Sequence, residues 1–197
     1  MTATPQDLCE FWLDEVGPAG WYARSDTLDG QVRDRFGALW QAVRDGGVPA
    51  GWMDSPKGAL AAIILTDQFP RNMFRDDPRA YATDAMSRDR ARAALAVGHD
   101  CAIDGPARQF FYLPFMHSED LADQEQGIAL FAERLPGENL RHARLHRDVI
   151  ARFGRFPWRN SDLGRDTTPE EQAFLDAGGY GALVRGDLAL DGGDEIV

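Results

Sequence analysis

In the stretch NLRHARLHRDVIARFG, His142 and His146 lie four residues apart, close to one helical turn, and Arg141, Arg144, Arg152 and Arg155 recur beside them. On a wheel of about 100° per residue the two imidazoles share a sector with Leu145, Val149, Ile150 and Phe153, while the arginines and Asp148 gather on another side. Three chemistries compete for that pattern. Two His at this spacing can share a metal, but Ala-Arg-Leu stands between them where a zincin has its glutamate, and spacing fixes no third ligand. An anion pocket would use arginine forks, continued past the helix by Arg159 in RFPWRN, with imidazole as a further donor. The plainest reading is a pair of hydrogen-bonded core histidines beside an arginine face that pairs with acidic neighbouring helices.

Two more places put polar side chains where they are costly. Residues 114–120, PFMHSED, follow the aromatic run FFYLPFM without transition. Ser118 reads as a helix N-cap, and Glu119 and Asp120 then fall in a first turn where the helix dipole favours anions. Capping leaves His117 unexplained. Asp67 shares a sector with Leu60, Ile63 and Ile64, so it points at a core. It also falls in the last turn of a helix that Pro70 is expected to stop. A carboxylate buried there needs a partner. Arg71 and Asn72 of DQFPRN are available, and a ligand-facing role is the alternative. No G-x-S-x-G, phosphate-cradling glycine loop or Cys–His arrangement is present.

The elements that must position these residues read as helices. Thr4-Pro5, Ser55-Pro56 and Asp77-Pro78 are helix starts, and Thr168-Pro169-Glu170-Glu171 is a full capping box. Val32, Phe36, Leu39, Trp40 and Val43 keep helical spacing over about 30–44. The spacing puts Ala82, Met86, Ala93 and Val97 along one side of an Ala-rich helix. Gly105-Pro106 opens a short aromatic helix ended by Pro114, and Gly154 closes a long helix from about Pro136. No segment alternates as a strand would. The expectation is an all-α chain of seven to nine helices: a single domain over 1–180, then an acidic, Gly-rich arm over 181–197, ordered only in part.

Composition bounds the partners. The chain has 197 residues, is 44% hydrophobic and carries a net charge of −11, so its field repels nucleic acid and anionic membranes. The apolar run GALAAIIL is too short to span a bilayer. Cys9 and Cys101 make neither a disulfide framework nor a metal site, and the N-terminus shows no leader, so a reduced, cytoplasmic protein is expected. No cofactor is expected, and a homodimer is compatible with this composition.

Four ordered stretches, DQFPRNMFRDDPRAYATDAM, FFYLPFMHSEDLADQE, HRDVIARFGRFPWRN and GRDTTPEEQAFL, together resemble the mostly bacterial domain-of-unknown-function family 924. The N-terminal FW and VRDRFGALW fit as well, so the resemblance runs to about residue 180. It implies antiparallel helical hairpins stacked in a tetratricopeptide-like right-handed superhelix, and it implies no reaction. The motifs carry Asp67, Gln68, Pro70, Arg71, Asn72, His117, Ser118, Glu119, Asp120, His146, Arg147, Arg155, Pro157, Arg159 and Asn160. Relatives often read F-P-H-R-N where this chain has Trp158. The leading expectation is a binding module for a small anionic ligand or acidic peptide, held by Asp67, Gln68, Arg71, Asn72, His117, Glu119, His146, Arg155, Arg159 and Asn160. One alternative is an enzyme in which Asp67 or Glu119, its pKa raised by burial, works with His117 or His146 as acid and base. Another is a scaffold whose exposed apolar groove takes a protein partner.

Overall fold

The computed structural model describes residues 3–190, and among them every regular element is helical. Ten α-helical segments form, several of a single turn, where seven to nine were expected. None is long and apolar enough to cross a membrane. The chain packs as two compact units, Met1–Pro114 and Phe115–Val197. Of the expected C-terminal arm, residues 191–197 lie outside the described residues.

In the first unit, α1 (Pro5–Cys9) is closed at its start by a reciprocal box. The Thr4 hydroxyl accepts from the Asp7 N–H, and the Asp7 carboxylate accepts from the Thr4 N–H. The helix widens into a π-turn at Glu10–Val16, which buries Phe11 and Trp12. A short α2 (Gly17–Gly20) leads to α3 (Asp26–Gly46), which buries the expected stripe of Val32, Phe36, Leu39, Trp40 and Val43. Then α4 (Pro56–Met73) runs through the middle of this unit, buried on nearly every side. The Phe69 ring lies 4.9 Å from Phe36 and 5.3 Å from Trp12, spacings at which aromatic rings attract beyond their buried area. Gly58 lets α4 start close to Trp52, because a Cβ there would collide with the Trp52 carbonyl.

Pro70 does not stop this helix; it lies inside it. Proline lacks the N–H that would bond the carbonyl four residues earlier, which here belongs to Thr66. The Thr83 hydroxyl donates to that carbonyl at 2.7 Å, and Trp40 Nε1 donates to the same hydroxyl at 3.2 Å. A buried side chain from another segment thus replaces the missing bond, so α4 continues to Met73 and Asp67 lies in its interior. Thr83 also breaks the expected Ala-rich helix in two, a 3-10 turn at Pro78–Tyr81 and α5 (Asp84–Ala96). The buried side of α5 is Ser87, Ala91 and Ala94, whereas Ala93 and Val97 are exposed. The aromatic segment is a 3-10 helix, Gly105–Phe111, and Pro114 falls in the first turn of α6 (Leu113–Met116) instead of ending the run.

In the second unit, α7 (Leu121–Arg134) starts one residue after Asp120, whose carboxylate accepts from the Ala122 N–H. Asp120, not Ser118, is therefore the cap, and Glu119 precedes the helix. Ser118 turns its hydroxyl to Asp123 at 2.7 Å. Next comes α8 (Glu138–Phe153), ended as expected by Gly154 at φ 70°, where glycine pays no Cβ penalty. It is followed by α9 (Pro169–Asp176) behind the Thr168–Glu171 capping box, and by α10 (Gly179–Arg185). Val149, Ile150, Phe156, Phe174 and Leu183 form the core of this unit.

The Thr83 bridge predicts a specific loss. Thr83→Val should cost about 2–4 kcal/mol in urea unfolding, because the Thr66 carbonyl and the Trp40 indole N–H both stay buried without a partner. Thr83→Ser keeps the hydroxyl and should cost under about 1 kcal/mol; equal losses from the two variants would refute the bridge.

Candidate functional site

The two units divide the expected site residues. In the first, Asp67 is 1% exposed. It accepts a hydrogen bond from Gln68 Nε2 and pairs with Arg71 Nη1 at 3.3 Å. Arg71 also forks onto both carboxylate oxygens of Asp84 at 3.0 Å. That guanidinium already serves two carboxylates, so it has little positive field left for an outside anion. Asn72, the other expected partner of Asp67, instead donates to Asp29 at 2.8 Å, beside an Arg75–Asp29 pair. Sequence reasoning missed Asp84 and Asp29. No local signal marks them, since each meets its partner 13 or more positions away.

In the second unit both ends of the RFPWRN loop are tied to one carboxylate. Glu171, 2% exposed, accepts from Arg155 Nε and Nη2 at 2.6 and 2.8 Å, from Asn160 Nδ2 at 3.2 Å and from the Thr168 N–H at 2.8 Å. The Arg155 bond is the largest of the influences that hold its carboxyl down at about 2. Glu119 is pinned in a similar way, by an Arg165 fork at 2.7 and 3.1 Å and by the Phe156 N–H at 2.9 Å. Burial alone would raise the Glu119 pKa, but those donors outweigh it and leave it below the usual carboxylate range. This is opposite to the elevated pKa that the acid–base alternative asked of Glu119.

The arginine stripe of α8 is largely spent on neighbours. Arg147 pairs with Glu125 and Asp148, Arg152 with Glu170, and Arg141 donates to the Val184 carbonyl. Arg159 is more deeply buried, and its charge helps to lower the Glu119 carboxyl. Only 6% exposed, its guanidinium lies 4.5 Å over the Phe156 ring, and its Nη2 donates to the His117 carbonyl at 3.0 Å.

The histidines of α8 face inward, as expected. His146 is set among rings: Tyr180 at 4.5 Å, Phe156 at 5.4 Å and Trp158 at 6.0 Å. Its Nδ1 lies 2.8 Å from the His142 carbonyl oxygen. A carbonyl only accepts, so Nδ1 carries the hydrogen. Burial, with the nearby charges of His117, Arg159 and His142, pushes the ring down to about 3, so it is neutral at pH 7 and Nε2 presents a lone pair. His142 is also lowered, chiefly by burial, and its Nδ1 meets the Tyr180 hydroxyl at 2.5 Å. Tyr180 carries no local signal, since it meets His142 from 38 positions away. Among the described residues no three His, Cys, Asp or Glu side chains gather so as to hold a metal ion.

No curated protein matches the chain. A solved structure of a protein of unknown function, ATU0120 from Agrobacterium tumefaciens, is 42% identical to it, with a TM-score of 0.83 over 87% of this chain and 96% of that one. The same all-helical fold therefore recurs in a second sequence. The family model for bacterial proteins of unknown function, DUF924, matches residues 8–179, and the chain belongs to that family.

Proposed function

We propose that this protein is a binding module for a small anionic ligand, and that the ligand is held at the second unit by Arg159, His117 and His146. The observation that supports this reading is the environment of His146. Its ring is fixed and neutral: burial is the largest influence that depresses its protonation, and the Arg159 charge adds to it. The Arg159 part of that shift has the sign that favours a nearby anion. Arg159 supplies a fork suited to carboxylate or phosphate oxygens, already held in place by stacking on Phe156. Arg155, Glu119 and Asn160 belong to the same motifs, and in this reading they position the loop that carries Arg159.

Binding is favoured over acid–base catalysis by the same numbers. A general base works best with a pKa near the operating pH. An imidazole at about 3 and a carboxylate pinned by Arg165 fit that role poorly.

The fork is tested by a thermal-shift panel of orthophosphate, phosphate monoesters and small carboxylates. A ligand present at 100-fold its Kd adds about 2.7 kcal/mol, or roughly 2–4 °C per kcal/mol at this chain length. Arg159→Lys keeps the charge and loses the fork, and it should weaken binding about tenfold or more. An unchanged response in that variant would remove Arg159 from the site.

The depressed imidazole also makes a pH prediction. Its folded pKa lies below the unfolded value of about 6.5, so below that pH the unfolded state binds more protons and stability falls as pH falls. Between pH 7 and pH 5 the wild type should lose about 2 kcal/mol that His146→Phe does not lose. Urea unfolding of both proteins at the two pH values measures the difference. Parallel losses would show that His146 titrates normally.

A further inference from the structure

Within the second unit a cavity of about 250 Å³ opens among the last turn of α8, one face of α9 and residues 188–190. Its apolar walls are Phe153, Phe174, Leu188 and Leu190. The Phe153 ring lies 5.1 Å from Phe174 of the core, and Leu188 and Leu190 pack on the same core. On α9 the cavity side carries Glu170, Ala173, Phe174 and Ala177, the i, i+3, i+4, i+7 spacing of one helix face. Two of those four side chains are single methyl groups, so the face leaves a hollow instead of filling it.

One lip of the hollow is charged. Arg152 and Glu170 both stand on it and pair with each other. Their side chains are 46% and 56% exposed, so the pair contributes little stability and is readily exchanged. The closest contact joins Arg152 Nη2 to Glu170 Oε1, and among the described residues neither side chain has a further partner. A guanidinium carries several N–H donors and a carboxylate two accepting oxygens, so one pairing leaves capacity on both sides.

We propose that this cavity binds a free amino acid with an apolar side chain, such as leucine or phenylalanine. One carbon of such a molecule bears both an ammonium and a carboxylate. It can therefore answer Glu170 and Arg152 together, while its side chain enters between the rings and the leucines. A ligand of one sign fits less well, because a carboxylate beside Arg152 also meets the charge of Glu170, and an amine meets the converse. The volume lies below the roughly 300–1,000 Å³ of pockets for drug-sized ligands, which suits a single amino acid. Burying it removes water from apolar side chains that the fold leaves partly exposed. The site shares no residue with Arg159, His117 and His146, so its test stands apart from the anion reading.

The test is an NMR titration of the whole chain at pH 7 with four compounds. Leucine is compared with 4-methylpentanoate, which lacks the ammonium, with 3-methylbutylamine, which lacks the carboxylate, and with glycine, which lacks the side chain. Leucine should shift the amides of residues 152–153, 170–177 and 188–190 saturably, and should bind about fivefold or more tightly than each of the others. Glu170→Gln removes the charge and should erase the advantage of leucine over 4-methylpentanoate. Ala173→Leu fills the hollow, leaves both charges and should weaken leucine about tenfold or more. Both positions are exposed, so neither change disturbs the core.

Equal affinity for leucine and 4-methylpentanoate in the wild type would overturn the proposal by removing Glu170 from the site. Unchanged leucine binding in Ala173→Leu would overturn it by showing that the side chain goes elsewhere. So would the absence of any saturable shift with all four compounds at millimolar concentration.

Discussion

The second unit depends on one carboxylate. Glu171 caps α9 through the Thr168 N–H, forks onto Arg155 at the start of the RFPWRN loop and takes the Asn160 amide at its end. Both ends of a six-residue loop are thereby tied to one buried point, and Arg159 sits between them. A loop held this way has already lost its conformational entropy on folding. The Glu171 carboxyl lies well below its ordinary range because of the same contacts, with the Arg155 bond the largest, so the anchor stays charged over the whole neutral range. Capping of α9 and closure of both loop ends thus meet at one side chain, while Glu119 holds the loop again at the Phe156 N–H.

The charge pattern of the second unit follows from the same economy of pairs. A stripe of arginines on α8 would be a strong anion trap if it were unpaired. Arg147 and Arg152 instead meet Asp148, Glu125 and Glu170, and Arg155 meets Glu171. The exposed pairs among these contribute little stability each, but together with the buried Arg155–Glu171 pair they cancel much of the local field. What distinguishes the Arg159 region is its low exposure and its ring neighbours. A charge held against aromatic faces and away from bulk water acts through a lower effective dielectric, so its field is felt more strongly nearby. The His146 ring, depressed chiefly by burial, also feels that charge.

Much of the fold was legible because helix signals are local. The Thr4 helix start, the Thr168 capping box, the α3 stripe and the Gly154 terminus each depend on residues within a few positions of one another, and each appears where expected. The misreadings share one cause. Pro70 reads as a stop because its damage is local, while its repair by Thr83 comes from 17 positions away. Ser118 reads as a cap because nothing nearby says that Asp123 takes its hydroxyl or that Asp120 does the capping. Periodicity likewise placed the two histidines on the inward face, but it could not supply Tyr180, which meets them from another helix.

The same distinction bears on how the motifs are understood. DQFPRN looks like a site, since it sets a carboxylate, an amide, an arginine and an asparagine beside a proline. Yet Asp67 answers Gln68 and Arg71, Arg71 answers Asp84, and Asn72 answers Asp29. Breaking any of these would leave a buried charge or amide exposed to its full desolvation cost, which is reason enough for the polar residues to be there. A polar residue in a buried position is therefore not evidence of function by itself. The sharper criterion is a polar atom whose bonding capacity folding has not used although its geometry is fixed. Among the residues the sequence singled out, His146 Nε2 meets it: the ring is locked by a carbonyl and three aromatic neighbours, and its acceptor is left open.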